Sequence, residues 1–408
     1  MDVKVSIINI GNELLLGQTV NTNLSWLGTE LAFLGLPATK AVTIQDDPEA
    51  IRTALSQEWQ QSDVVIMTGG LGPTKDDITK AVIADFFGKE MEFRPEIWEK
   101  VQAMFAFRGM ATPEINKSQA MVPGGFEAFA NARGTAPGLC FKDNGKLFFA
   151  LPGVPVEMKY LFGEYISDIL KKAFSRKPII LKTIHTWNTS ESALAEKLSE
   201  LRIPDEIKLA WLPQTGRVDL RIYGSNEWQI NELHDNIQAL ASEYVWGYDG
   251  DTPASVLQHL LLEKELTLAA AESCTGGLVG KLLTDVPGAS NYFAGSLVSY
   301  SNPLKQSMLG VKGETLEKSG AVSIETALEM AEGIRKEAKV DIGISVTGIA
   351  GPEGGSSEKP VGTVCFGIAS GKGTYSGKTV FTGDRNGIRT KAAEYLILST
   401  IEYIRREL

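Results

Sequence analysis

Hydrophobic positions along this chain switch repeatedly between two periods. Residues 3–10 are apolar and β-branched and stop at Gly11, which predicts a strand. In residues 23–34, Leu24, Leu27, Leu31 and Leu34 fall at helical spacing, and Gly35 supplies a stop signal. A strand over 38–44, a helix over 48–59 and a strand over 63–68 follow, the last running into Gly69-Gly70-Leu71-Gly72-Pro73-Thr74. Nearly all-apolar strands that alternate with helices predict a parallel sheet buried on both faces. Helices over 95–107 and 154–174 and an apolar hairpin over 138–150 complete a first α/β domain, residues 1–175.

The pattern changes near Arg176-Lys177-Pro178. A strand (179–186), a helix (192–201), a hairpin (208–223, turning at Gln214-Thr215-Gly216) and a helix (229–244) predict a small α+β unit over 178–250. Asp249-Gly250-Asp251-Thr252-Pro253 reads as a linker. The α/β alternation then restarts over 253–408, with strands at 266–271, 295–300, 341–347 and 362–369. Helices are expected at 254–264, 278–283, 324–337 and 388–405.

Charge narrows the range of partners. The net charge is −10 and no basic run exceeds Arg405-Arg406, so no nucleic-acid partner is expected, because such partners are gripped by clustered Lys and Arg. Small anionic ligands held by local donors remain open. Three widely spaced cysteines without a CxxC suggest neither a disulfide framework nor a zinc knuckle, as fits a reducing compartment. The first residues read as a strand rather than a signal peptide, and no stretch approaches the ~18 apolar residues of a membrane span. A cytoplasmic location with no membrane partner is the expectation.

Two strand-to-helix turns carry candidate chemistry. In the first, Gly69, Gly70 and Gly72 expose backbone N–H groups suited to phosphate, yet Asp76 and Asp77 would repel it. An oxygen-ligated divalent metal bridging a polyphosphate reconciles the two. Gly11-Asn12-Glu13, Asn21 with Asn23, and Asp46-Asp47-Pro48 are expected along the same sheet edge, where ligands bind in such folds. In the second turn, Ala270-Ala271-Glu272-Ser273-Cys274-Thr275-Gly276-Gly277, a hydroxyl, a thiol and several amides meet at a helix start. That suits a nucleophile with an oxyanion hole. The three histidines lie outside this motif, so a lysine whose pKa is lowered by burial, and which is then free of its proton, is the alternative activator, and Tyr300 and Lys305 are the nearest candidates. Adjacent residues on such a path point different ways, so Ser273 and Cys274 cannot both face a substrate. Ser273 is favoured.

The stretches GNELLLGQTVNTN, IQDDPEAI, GGLGPTKDDIT and LPGVPVEM resemble the molybdopterin-binding fold, and more closely the amino-terminal half of the CinA (competence/damage-inducible protein) family. AESCTGG, GASNYFAGSLVSYSNPLK, SVTGIAGPEGG and FTGDRNGIR resemble that family's carboxyl-terminal nicotinamide-nucleotide amidohydrolase domain. Residues 178–250 sit where the family carries a small KH-like domain, but hold no GxxG loop for RNA. Taken over nearly the whole chain, the resemblance implies two reactions. One is metal-dependent (Mg, Mn or Co) hydrolysis of ADP-ribose to AMP and ribose 5-phosphate. The other is metal-free deamidation of nicotinamide mononucleotide (NMN) to nicotinate mononucleotide and ammonia.

By motif position, Asp46, Asp47, Asp76, Asp77 and Glu13 become candidate metal or catalytic carboxylates. Gly69, Gly70, Gly72, Thr74 and Asn21 become substrate contacts, and Asn12 stands where many members carry Asp. In the second site the resemblance implies Ser273 as nucleophile, Lys305 as base and Tyr300 as proton relay or orienting group. Thr275, Gly276, Gly277, Thr347, Gly348 and Gly351 would bind substrate, Arg385 or Arg389 would hold the phosphate, and Ser290 is a second hydroxyl or rival nucleophile. A homodimer is expected by analogy with the family.

Overall fold

The structure, a computed structural model, describes residues 3–74, 76–214 and 217–408. Compactness divides it into two units, Met1–Leu181 with Tyr223–Glu227, and Lys182–Ile222 with Trp228–Leu408.

In the first unit the apolar runs form β1 (Val5–Ile10), β2 (Lys40–Ile44), β3 (Val64–Thr68), β4 (Met91–Phe93), β5 (Met121–Pro123), β6 (Glu127–Phe129), β7 (Gly138–Asp143) and β8 (Lys146–Leu151). Six of them make one sheet in the order β2-β1-β3-β8-β7-β6. β2, β1, β3 and β8 run parallel, while β7 and β6 are antiparallel, so the expected parallel sheet is mixed. The reversal follows from the two-residue connection Asn144-Gly145, both at positive φ, which permits only a hairpin. The Thr22–Phe33 helix buries Leu27 and Leu31 against Val5 and Ile7 on one face. On the other face, Ile51 and Leu55 of the Pro48–Gln61 helix pack on Ile8, Val65 and Met67. The long helix expected over 154–174 is interrupted by a π turn at Phe162–Ile166.

In the second unit β9 (Ile180–Trp187), β10 (Lys208–Gln214), β11 (Arg217–Gly224) and β12 (Val245–Tyr248) form a sheet in the order β10-β11-β9-β12. β12 was not expected from sequence. Its four residues follow a helix directly and are too few to show an alternation. The expected turn at Thr215-Gly216 lies outside the described residues. The last sheet holds β13 (Leu268–Glu272), β14 (Phe293–Val298), β15 (Ile342–Gly348), β16 (Thr363–Ala369) and β17 (Thr374–Val380), ordered β14-β13-β15-β16-β17. β14, β13 and β15 are parallel, and β16 and β17 are antiparallel. Trp187 and Trp246 of the small sheet share a core with Leu257, Leu261, Ile397 and Ile401. Arg405 donates to the Val245 and Trp246 carbonyls at 2.9 and 3.1 Å. Among the described residues, no helix is long and apolar enough to cross a membrane.

Candidate functional site

The first candidate site is a cavity of about 750 Å³ along the carboxyl ends of the parallel strands β1, β2, β3 and β8. Its walls include Asn12 and Glu13 after β1, Asp46 after β2, Gly69, Gly70, Gly72, Asp76 and Asp77 after β3, and Gly153 and Glu157 after β8. β1 is flanked by β2 and β3, so the chain changes direction across the sheet there, as at the ligand crevice of doubly wound folds. Gly70 has φ +65°, and a Cβ there would lie 2.0 Å from the Thr79 hydroxyl, so this turn needs glycine.

The acidic residues divide by what already engages them. Asp46 accepts from the Asn12 amide at 3.2 Å. Its carboxyl is raised above the usual range by burial first, against that hydrogen bond, and then by the charges of Glu13, Asp77 and Asp76. Asp77 accepts from the Thr74 amide and hydroxyl. Asp47 is not in the cavity wall: its carboxylate caps the Pro48–Gln61 helix by accepting from the Glu49 and Ala50 amides. Asn21 likewise caps the Thr22–Phe33 helix and is not a wall residue, and Thr74 is spent on Asp77. Among the described residues no three His, Cys, Asp or Glu side chains form a cage for a metal.

Two residues here carried no role in the sequence reading. Glu157, in LPGVPVEM, accepts from Asn131 at 2.6 Å, and burial raises its carboxyl. Lys80 is buried, donates to the Ser118 and Met121 carbonyls, and is lowered to about 8 by burial, against the charge of Asp77. The TKDDITK run places Lys80 three residues past Asp77, but nothing in that spacing predicts its burial.

The second candidate site forms where β13 ends. Lys305, in the Asn302–Leu309 helix and 1% exposed, brings its Nζ to 3.0 Å from Ser273 Oγ. The same amine donates to the Ser299 carbonyl at 2.7 Å and the Tyr300 carbonyl at 3.4 Å. Among the described residues no carboxylate pairs with it. Burial lowers its pKa below the ordinary lysine value. Cys274 is buried, and burial pushes its thiol up to about 12, so it is not the thiolate of a nucleophile.

The turn after Ser273 is organised by Glu272, which the sequence reading quoted without a role. Its fully buried carboxylate accepts from the Thr275 and Ser296 hydroxyls and from the amides of Gly277, Val279 and Gly280. The Gly277 amide, one of those in the run expected to serve an oxyanion hole, is therefore occupied. The Ser273 and Gly276 amides bond the Val346 and Ser273 carbonyls, which leaves those of Cys274 and Thr275 as donors in the turn. Gly277, at φ +98°, supplies the left-handed residue that opens the Leu278–Thr284 helix.

Tyr300 is 61% exposed, and its hydroxyl accepts from Arg385 at 3.2 Å. Arg385 also donates to the Gly351 carbonyl at 2.6 Å. Arg389 donates to the Cys274 and Thr275 carbonyls at 3.2 and 2.7 Å, which fixes the turn that carries Ser273. Thr347 and Gly348 end β15, with the Thr347 hydroxyl held by the Ala321 carbonyl. Ser290 is excluded. It precedes β14, and the parallel register pairs Leu268, the first residue of β13, with Phe293, so Ser290 lies at the opposite end of the sheet from Ser273.

The fold and sites together define a three-module α/β protein with a phosphate-type crevice in one module and a serine–lysine pair in another. Residues 6–172 match the probable molybdopterin binding domain, 181–247 the KH domain of damage-inducible protein CinA, and 251–404 the CinA C-terminal domain. A putative competence-damage inducible protein of Caldicellulosiruptor saccharolyticus is 41% identical over 95% of this chain and 96% of its own. A CinA-like protein of Cytophaga hutchinsonii is 39% identical over 100% of this chain and 98% of its own. A crystal structure of CinA from Thermoplasma acidophilum, described as of unknown function, covers 41% of this chain and 98% of its own at 34% identity, with a TM-score of 0.38. The chain belongs to the CinA family.

Proposed function

We propose that this protein is a bifunctional hydrolase of pyridine-nucleotide recycling, deamidating NMN at Ser273 and hydrolysing ADP-ribose at the first crevice. The observation that carries the reading is the Lys305 amine, with two of its N–H directions taken by the Ser299 and Tyr300 carbonyls and its third side on Ser273 Oγ. A neutral amine held this way turns its lone pair toward the serine hydroxyl.

Lys305 takes the Ser273 proton as Oγ attacks the carboxamide carbon. The amides of Cys274 and Thr275 stabilise the oxyanion. Protonated Lys305 returns the proton to the departing nitrogen, which leaves as ammonia with an acyl-serine behind. Water, deprotonated by the same amine, then attacks the acyl carbon; the acyl–Oγ bond breaks, Lys305 returns the proton to Ser273 Oγ, and the acid is released. Arg385, exposed beside Tyr300, meets the substrate phosphate.

In the first crevice Asp46, Asp77, Asp76 and Glu13 would hold a hard divalent cation, which favours oxygen ligands. Such a cation neutralises diphosphate charge and activates water. The Gly69–Gly72 backbone cradles the diphosphate, and Glu157 receives a proton from the attacking water. The match of residues 6–172 to a molybdopterin binding domain favours a second reading for this module, in which it binds a pterin.

Two assays test the proposal. NMN should yield ammonia without added metal, and Lys305→Met should abolish it. ADP-ribose with magnesium should yield AMP, and absence of that product with binding of a pterin would favour the second reading.

A further inference from the structure

Within the second unit, a cavity of about 390 Å³ lies between the small sheet and the carboxyl-terminal domain, away from Ser273. That volume is in the range of small-molecule sites. Its walls include His185 of β9, Arg217 and Asp219 of β11, Trp246 of β12, Asp285, and Glu394 of the Arg385–Glu407 helix.

Two of these residues hold a buried polar atom that makes no hydrogen bond and no ion pair at hydrogen-bond distance: Trp246 Nε1 and Arg217 Nη1. Trp246 and Asp219 are 3% and 4% exposed. Asp219 Oδ1 and His185 Nδ1 lie 3.0 Å apart and partner each other, whereas Arg217 Nη1 lies 3.6 Å from Glu394 Oε2, too far for a hydrogen bond. Buried polar atoms are nearly always hydrogen-bonded, so two donors without acceptors on one cavity mark a missing partner. The indole N–H and the guanidinium call for an acceptor, whereas the Asp219 and Glu394 carboxylates in the same wall favour a donor or a positive charge. A simple anion would face those carboxylates, and a simple cation would face Arg217.

We propose that this cavity binds a small zwitterionic amino-carboxylate, with the chemistry of a free α-amino acid. Its carboxylate meets Trp246 Nε1 and Arg217, and its ammonium meets Glu394 and Asp219.

Calorimetric titration of the full chain with glycine, alanine, glutamine and arginine tests this, with acetate and methylamine as probes of each half. At least one amino acid should bind saturably at one per chain and about tenfold or more tighter than acetate or methylamine. Trp246→Phe, which removes the N–H donor together with one ring of the buried indole, and Glu394→Gln should each weaken binding about tenfold, and the unfolding temperature of Glu394→Gln should stay unchanged. The proposal is overturned if no amino acid binds, which makes the cavity a hydrated void. It is overturned equally if acetate binds as tightly as the amino acids and Glu394→Gln tightens it, or if neither variant alters binding. No turnover enters this readout, so it stands apart from the hydrolase activities.

Discussion

At 3.0 Å from Ser273 Oγ, held by two carbonyls and facing no carboxylate among the described residues, the Lys305 amine is arranged to act as a base rather than an ion-pair partner. Lys305→Met should lower kcat/KM for NMN by about 10²–10⁴, the usual scale of general-base catalysis. Lys305→Arg should fail to rescue, because a guanidinium keeps its proton. Cys274→Ala should retain activity. Burial depresses the Lys305 pKa, and the base works deprotonated, so kcat/KM should rise with pH along a limb centred below 10.5. A limb at or above 10.5 would contradict the assignment. Ser273 and Lys305 were legible in the sequence as candidates that the fold would bring together, because AESCTGG and SYSNPLK are short runs that each supply one polar group just past a strand end, and they lie 3.0 Å apart. Asp47, Asn21 and Thr74 were not separable from true wall residues. Asn and Asp beside a helix start serve equally well as caps, and only packing decides which way the oxygen points.

Individual elements hold these atoms in place, and Glu272 does most to seat the Leu278–Thr284 helix. Glu272→Ala leaves three amides and two hydroxyls without their acceptor. It should destabilise the second unit by about 3 kcal/mol in denaturant titration, and take the amidase with it. A second element-scale prediction concerns the small sheet. Burial alone would lower the pKa of His185. The Asp219 carboxylate of β11 and the Asp249 carbonyl beyond β12 nevertheless outweigh it, together with the opposing charge of Arg217, and raise the pKa. A raised folded pKa contributes stability that is fully present below about 6.5, the unfolded value, and is lost as pH rises through the folded value. The thermal midpoint of wild type should therefore fall relative to His185→Gln as pH increases from 6 to 8, measured by calorimetry. An unchanged difference across that range would remove His185 from the account. β12, which carries Trp246, and β17, a largely polar edge strand, were invisible to periodicity because neither shows a clean apolar alternation.

For the whole molecule, the sequence revealed three modules and two unlike turns, but not that the second and third modules share one core. The Trp187 and Trp246 contacts that join them lie far apart in sequence from their partners on the last helix, and no local pattern announces such pairing. The cavity between them was illegible for the same reason. The two candidate sites should differ in their need for metal. The first is lined with mutually repelling carboxylates, whereas the second uses an amine and backbone amides. EDTA should therefore abolish ADP-ribose hydrolysis and leave NMN deamidation within about twofold of its starting rate, as expected when a site has no metal to lose. The most direct measurement of two independent hydrolytic sites follows both reactions on wild type, Ser273→Ala and Asp77→Ala. Ser273→Ala should lose ammonia release and keep AMP formation, and Asp77→Ala should do the reverse. Loss of both activities in either folded variant, or of neither, would contradict it.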